Sequence, residues 1–233
     1  MTPADYARAR RLLMRRDPVL GAVIKRCGPC GLANSQHTDP FKALVRAIVS
    51  QQLSTKAAAT IQARFEALFV AAPRAGKPLR DARGHRGRFP TPAQVMAASD
   101  EALRSVGLSR MKVSFIRDLC ERVSDGRLRL GDLDALDDET VIRELVAVKG
   151  IGRWTAEMFL MFRLHRPDVL PVGDLGIVRG FQNVYGWKKD PSPAKMTRTA
   201  EAWRPYRSIA CWYLWESLEV TPLTKPARKT RKD

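Results

Sequence analysis

The chain has 233 residues, 45% of them apolar, and carries 41 Lys and Arg against 24 Asp and Glu, a formal net charge of +17. That apolar share excludes a disordered polymer, and the length suits one compact domain or two small helical lobes. The charge excess points to a polyanion, nucleic acid first; an anionic membrane fits less well because the charge is spread along the whole chain and no apolar run reaches the roughly 18 residues of a membrane span.

The N-terminus, MTPADYARARRLLMRRDPVLGAVIKRCG, interleaves Arg with apolar residues and lacks the unbroken apolar core of a secretory signal, so a cytoplasmic protein is expected, nucleoid-associated if bacterial. Cys27, Cys30, Cys120 and Cys211 form no metal-ligand set: Cys27-Gly28-Pro29-Cys30 has no second pair nearby, and His37, His85 and His165 form no HExxH. They read as ordinary thiols of a reducing compartment.

The pattern along the chain is helical almost throughout. Asp17-Pro18 and Asp39-Pro40 each pair a cap with a proline at the first helical position, the second opening FKALVRAIVSQQL with Phe41, Leu44, Val45, Ile48 and Val49 on one face. Ser54 caps the next helix, expected to turn Ala58, Ile61, Phe65 and Leu68 inward, so two helices meet at a short turn, Gln51 to Ser54. Residues 71–90 lose the apolar period; Arg74 to Arg88 holds six Lys or Arg, one Asp and three Gly, a basic loop that is either a solvated insertion or a DNA-tracking element. Helices resume at Thr91-Pro92, at Ser99, over SRMKVSFIRDLCERVSDG, and at Asp137, and strand alternation is confined to Arg127 to Leu130. After Asp174 come LGIVRGFQNVYG, a helix from Ser192-Pro193, and a last helix over Tyr206 to Glu219 carrying Trp212 and Trp215. The tail from Lys225 to Lys232 holds five basic residues and is expected to be disordered. The class is all-α.

The stretch LVAVKGIGRWTAEMFLMFRLHRPDVLPVGDLGIVRG, Leu145 to Gly180, concentrates the chemistry. Gly150 and Gly152 between two helices bring unpaired backbone N–H groups and a positive helix end to one point, a site for phosphate without sequence readout. Asp174 follows at the mouth of the next helix, where it is placed both to cap that helix and to do chemistry. Taken alone, a Gly-x-Gly turn is also an ordinary helix–helix connection.

The surrounding text is more specific. Leu145-x-x-Val148-Lys149-Gly150-Ile151-Gly152-Arg153-Trp154-Thr155-Ala156, followed by Leu170-Pro171-Val172-Gly173-Asp174, resembles the helix-hairpin-helix DNA glycosylases, and within them the 3-methyladenine DNA glycosylase II branch. SQQLSTKAA (Ser50 to Ala58) and WRPYRSIACWYLW (Trp203 to Trp215) extend the resemblance from Asp39 to about Glu219. It implies a two-lobed helical glycosylase fold in the compact form, since the 38 residues before Asp39 are too few and too helical for the extra β domain of the family's better-known bacterial member. The expected organisation is N-terminal helices packing on the core (1–38), a helical lobe with the Gln51–Ser54 turn and the basic loop (39–135), a helix-hairpin-helix catalytic lobe (136–219) and the tail (220–233).

The resemblance also implies roles. Asp174 is catalytic, stabilising the cationic sugar of C1′–N cleavage or activating water. Leu53 is the wedge that fills the gap left by an extruded base, with Gln52 and Ser54 beside it. Lys149, Gly150, Ile151, Gly152 and Thr155 bind DNA, and the carbonyls of Val146, Val148 and Gly150 hold a monovalent cation, Na+ or K+. Trp154, Met158 and Trp215 line a pocket for positively charged methylated purines, which aromatic faces attract by about 0.5–2 kcal/mol. Met158 stands where the better-known member has an aromatic residue, which leaves the substrate range open. In relatives that nick the strand, the position of Trp154 carries a Schiff-base lysine, so a monofunctional enzyme is implied. Only Cys211 follows the catalytic helix, so no iron–sulfur cluster and no required cofactor are implied. The expected partner is double-stranded DNA, bound by a monomer. The competing readings are a glycosylase for uracil or mismatched bases on the same fold, and a non-catalytic helix-hairpin-helix DNA-binding protein; an RNA-binding protein has no RNA-module signature in its favour.

Overall fold

Most helices begin where a short polar side chain takes an unpaired backbone N–H. Thr2, Asp17, Asp39, Ser54, Thr91, Ser99, Ser109, Asp137, Asp174 and Ser192 each accept from the N–H three residues on. Each such cap is worth about 1 kcal/mol. Proline stands at the helix start after Thr2, Asp17, Asp39, Thr91 and Ser192, where its missing N–H costs nothing.

The computed structural model describes residues 1–34, 39–69 and 89–219. In chain order its helices are α1 (Pro3–Arg16), α2 (Pro18–Cys27), α3 (Pro40–Ser50), α4 (Thr55–Leu68), α5 (Pro92–Ala97), α6 (Asp100–Ser105), α7 (Arg110–Ser124), α8 (Asp138–Val146), α9 (Arg153–Phe162), α10 (Leu175–Tyr185), α11 (Pro193–Ala200) and α12 (Arg207–Glu219), with short 3-10 turns between some of them. No strand occurs among the described residues, and the fold is all-α. Arg127 to Leu130, where alternation hinted at a strand, is a turn: the Asp125 carboxylate accepts from Arg127 N at 3.0 Å and Nε at 2.7 Å, and Leu128 N–H donates back to Arg122 O. No described helix is long and apolar enough to cross a membrane. Of the basic loop (residues 71–90), residues 71–88 lie outside the described residues, as does the tail (220–233).

Two compact units divide the chain differently from the sequence expectation. Residues 37–159 form one, and the stretches before and after them form the other, so the boundary falls inside α9 rather than near residue 136. The reason is packing: α1 and α2 lie against α10 and α12, and the hairpin between α8 and α9 belongs with α3 to α7.

In the unit built from both ends of the chain, Leu13, Leu20, Ile24, Phe181, Trp203, Tyr213 and Leu214 are fully buried. Phe181 stacks between Trp187 (5.5 Å) and Trp203 (5.2 Å). Asp17, buried at the start of α2, accepts from Leu20 N at 3.0 Å, from Trp203 Nε1 at 2.8 Å and from the Tyr185 hydroxyl, which satisfies a carboxylate inside an apolar core. Helices α10 and α12 approach at Gly180, where an added Cβ would lie 2.7 Å from Leu214 Cβ and 2.9 Å from Leu214 O.

In the other unit, α3 buries Phe41, Leu44, Val45, Ile48 and Val49, as its spacing predicts, and α7 buries Val113, Ile116 and Leu119. Helix α4 differs: its buried face is centred on Gln62 and Phe65, and Leu68 is exposed. Glu66 links α4 to α3 through Lys42 and Arg46, both at 3.3 Å.

Gly180→Ala is expected to lose about 1–3 kcal/mol, because backbone on α12 cannot yield to the new methyl. A urea or thermal denaturation series checks this.

Candidate active site

Asp174 is delivered by a loop pinned to the start of α12. Asp168 accepts from Arg207 Nε at 2.8 Å, Nη2 at 2.9 Å and N at 3.2 Å, and from Arg204 Nη1 at 2.6 Å. Ser208 Oγ accepts from Val169 N–H at 2.9 Å and donates to Arg166 O at 2.7 Å. The chain then turns through Pro171, whose carbonyl accepts from Asp174 N–H at 3.0 Å, and enters α10. Asp174 is buried, and its Oδ1 accepts from Ile177 N at 2.8 Å and from the Trp215 indole Nε1–H at 2.9 Å. Phe162 stacks on Trp215 at 5.9 Å and 23°. Gly176 makes this possible: a Cβ there would sit 2.8 Å from Trp215 Cδ1 and 3.0 Å from Asp174 Oδ1. The carboxylate is therefore held in one orientation at the positive end of a helix, which suits stabilising a developing cation without reorganisation.

The hairpin lies in the other unit. Gly150 has φ +79°, and a Cβ on it would lie 2.1 Å from the Phe115 ring, so no other residue fits. Behind it, the buried Asp118 accepts from Lys149 N at 2.9 Å and from Arg122 Nε at 2.9 Å. Burial alone would raise the Asp118 carboxyl, but the Lys149 N–H and the Arg122 guanidinium together hold it below the usual carboxylate range. The Lys149 ammonium is exposed, 3.9 Å from Asp118. Arg153, at the start of α9, is engaged by Glu139 (2.5 Å) and Glu157 (3.1 Å). Two residues expected to bind DNA have side chains inside the fold. Ile151 is 3% exposed and its N–H donates to Val148 O, and Thr155 is 7% exposed; the exposed parts of the hairpin are Lys149, Gly150 and Gly152.

In the same unit, the turn after α3 has Gln51 at φ −52°, ψ 130° and Gln52 at φ +57°, closed by Leu53 N–H to Ser50 O at 3.2 Å. This is the pattern of a type II turn, with Gln where Gly or Asn is favoured. Gln52 and Leu53 project outward, Leu53 at 39% exposure, and Ser54 caps α4 through Ala57 N–H. The Gln51 side-chain amide donates to Gly150 O at 2.7 Å, joining the turn to the hairpin.

Trp154 and Met158, four residues apart on α9, share one helix face; Trp154 is exposed and Met158 half-buried. Trp215 belongs with Asp174. Trp212 packs over Gly31, where a Cβ would meet its ring at 2.8 Å. Burial pushes the thiols of Cys30 and Cys120 up to about 12, so both stay protonated near neutral pH. No cluster of His, Cys, Asp and Glu able to hold a metal occurs among the described residues.

Sequence reasoning did not identify Gln51, Phe115, Asp118, Phe162 or Gly176. Asp118 was within reach, as an acid on the apolar face of α7 calls for a buried partner; Gly176 and Phe162 carry no signal until α12 is packed.

Residues 45–205 match the HhH-GPD superfamily base excision DNA repair protein family, and the chain belongs to it. DNA-3-methyladenine glycosylase 1 of Schizosaccharomyces pombe is 34% identical over 194 residues, 83% of this chain and 78% of that protein. A crystal structure of DNA-3-methyladenine glycosidase from Bacillus halodurans superposes with a TM-score of 0.77 at 39% identity, covering 91% of this chain and 89% of that one. The S. pombe 3-methyladenine DNA glycosylase Mag1 in complex with abasic DNA gives 0.73 at 30%, covering 94% and 100%.

Asp118→Ala leaves the Lys149 N–H and Arg122 without their acceptor and is expected to cost about 2–3 kcal/mol of stability. Because the folded carboxyl titrates below its unfolded value, the difference between wild type and variant is present above about pH 4 and shrinks as pH falls through the folded value. Urea midpoints across that range measure it.

Proposed function

We propose that the protein is a DNA glycosylase that extrudes alkylated purines of the 3-methyladenine and 7-methylguanine type from double-stranded DNA and hydrolyses their N-glycosidic bond, acting as a monomer and leaving an abasic site. The observation that carries this reading is the Asp174 carboxylate, fixed through Oδ1 by Ile177 N–H and Trp215 Nε1–H in a chain of the base-excision repair family. A methylated purine carries positive charge and leaves readily once its bond to C1′ lengthens. The sugar then takes on oxocarbenium character, which a nearby oriented anion stabilises; water adds to C1′ and loses its proton. Asp174 is the catalytic residue in this scheme, and Trp215 both orients it and offers an aromatic face that attracts a cationic base.

The hairpin grips a phosphate through Gly150, Gly152 and the Lys149 ammonium, and the turn inserts Leu53 into the gap in the stack, with Gln52 and Ser54 beside it. The carbonyls of Val146, Val148 and Gly150 suit Na+ or K+: they are hard oxygen donors, and the Val148 and Gly150 oxygens each accept one N–H and have room for a second ligand. An ion held there would supply positive charge for the phosphate. Strand cleavage needs an amine to attack C1′; Trp154 has none, and Lys149 stands five residues earlier, before the turn.

Incubation of the protein with methylated genomic DNA, followed by identification of the released bases, tests the reading; release of uracil alone would replace it. Asp174→Asn keeps a good helix cap and removes the charge. It is expected to slow single-turnover excision by about a hundredfold or more, with duplex affinity nearly unchanged. Borohydride is expected to trap no covalent protein–DNA adduct, and a trapped adduct would show a lyase.

A further inference from the structure

The turn that carries Leu53 does not hold itself in shape. Gln52 occupies a left-handed backbone position that its side chain disfavours, and such strain persists only where the surroundings fix it. Two side chains supply the fixing. Lys112 Nζ donates to Val49 O at 2.7 Å and to Gln51 O at 2.8 Å, closing the C-terminal end of α3, where a cation also meets the negative end of the helix. Gln51 Nε2 reaches Gly150 O, 99 residues away in sequence, at 2.7 Å.

Lys112 is not alone on its helix. Phe115 and Asp118 follow at three-residue steps, and Arg122 one turn later, so one face of α7 carries four contacts in a row. Lys112 holds the turn, Phe115 receives Gly150, Asp118 takes the Lys149 N–H, and Arg122 supports Asp118. Half-buried and committed to two carbonyls, Lys112 faces the turn rather than a phosphate. Loss of hydration lowers its pKa below the ordinary lysine value.

We propose that Lys112 and Gln51 are positioning residues for base extrusion, locking the Leu53 turn to the hairpin so that the wedge enters the duplex at a fixed distance from the gripped phosphate. The proposal rests on the reading of Leu53 as the wedge. It requires that loosening the lock penalise only those lesions whose base must be forced from a pair.

The test compares single-turnover excision of 7-methylguanine in two duplexes, one with cytosine opposite the lesion and one with an abasic-site analogue opposite it. Lys112→Met, which keeps the aliphatic stem, and Gln51→Ala are each expected to slow excision from the paired duplex about tenfold and from the unpaired one less than about twofold. A general loss of folding lowers both rates together, so the ratio isolates positioning. Leu53→Ala serves as the reference. If Leu53→Ala shows the split and both other variants do not, the proposed coupling is overturned. If Leu53→Ala itself shows no split, the wedge reading is overturned, independently of Asp174. Should Lys112→Met fail to fold, Gln51→Ala decides, since it removes one surface amide and leaves the helix caps intact.

Discussion

The seat of α10 on α12 depends on two glycines, one helical turn apart. Gly180 lets Leu214 come within a distance that a Cβ would forbid, and Gly176 does the same for the Trp215 indole. Close packing of this kind has little slack, so the helix axes are set by backbone rather than by adaptable side chains. The indole N–H then meets the carboxylate that caps α10, and Phe162 stacks on the indole. The carboxylate inherits its orientation from the packing of two helices, which is why a residue in a loop-to-helix transition is placed as firmly as one in a core.

The hairpin unit solves a related problem by other means. A hairpin made of backbone has no side chain of its own to anchor it. Here α7 supplies the anchors from behind: an aromatic face for Gly150 and a buried carboxylate for the next N–H back. Buried carboxylates serve as local organisers in both units. Asp17 gathers a helix start, an indole and a phenol, and Asp118 gathers a hairpin amide and a guanidinium. In each case the anion is satisfied by several donors, the condition under which a buried charge supports structure rather than undermining it.

Much of this was legible in the sequence because it is local. Ser, Thr and Asp caps followed by proline mark helix starts within a residue or two, and apolar spacing identifies the buried face of α3. Asp174 as the cap of α10 was readable from its place before LGIVRGF, and exposure of Leu53 from its place in a turn between two capped helices. Long-range pairings were not readable. Nothing near Gln51 names Gly150, and nothing in the spacing of α4 shows that Leu68 stays outside. Ile151 and Thr155 face inward because burial through the hairpin and the first turn of α9 falls at Val148, Ile151 and Thr155, three or four residues apart, and a run of residue names does not show where that count starts.

The ion pairs bear on how tightly this chain responds to ionic strength. Arg153 lies beside the hairpin, yet it is bound by Glu139 and Glu157; Arg122, Arg127 and Arg207 are likewise held by Asp118, Asp125 and Asp168. A guanidinium already neutralised by a carboxylate displaces few counterions when a duplex arrives. The count of 41 Lys and Arg thus overstates the number of phosphates the protein can neutralise, whereas the net charge of +17 already sets each such pair to zero. What a salt titration of DNA affinity reports is the smaller set of cations that lie outside such pairs.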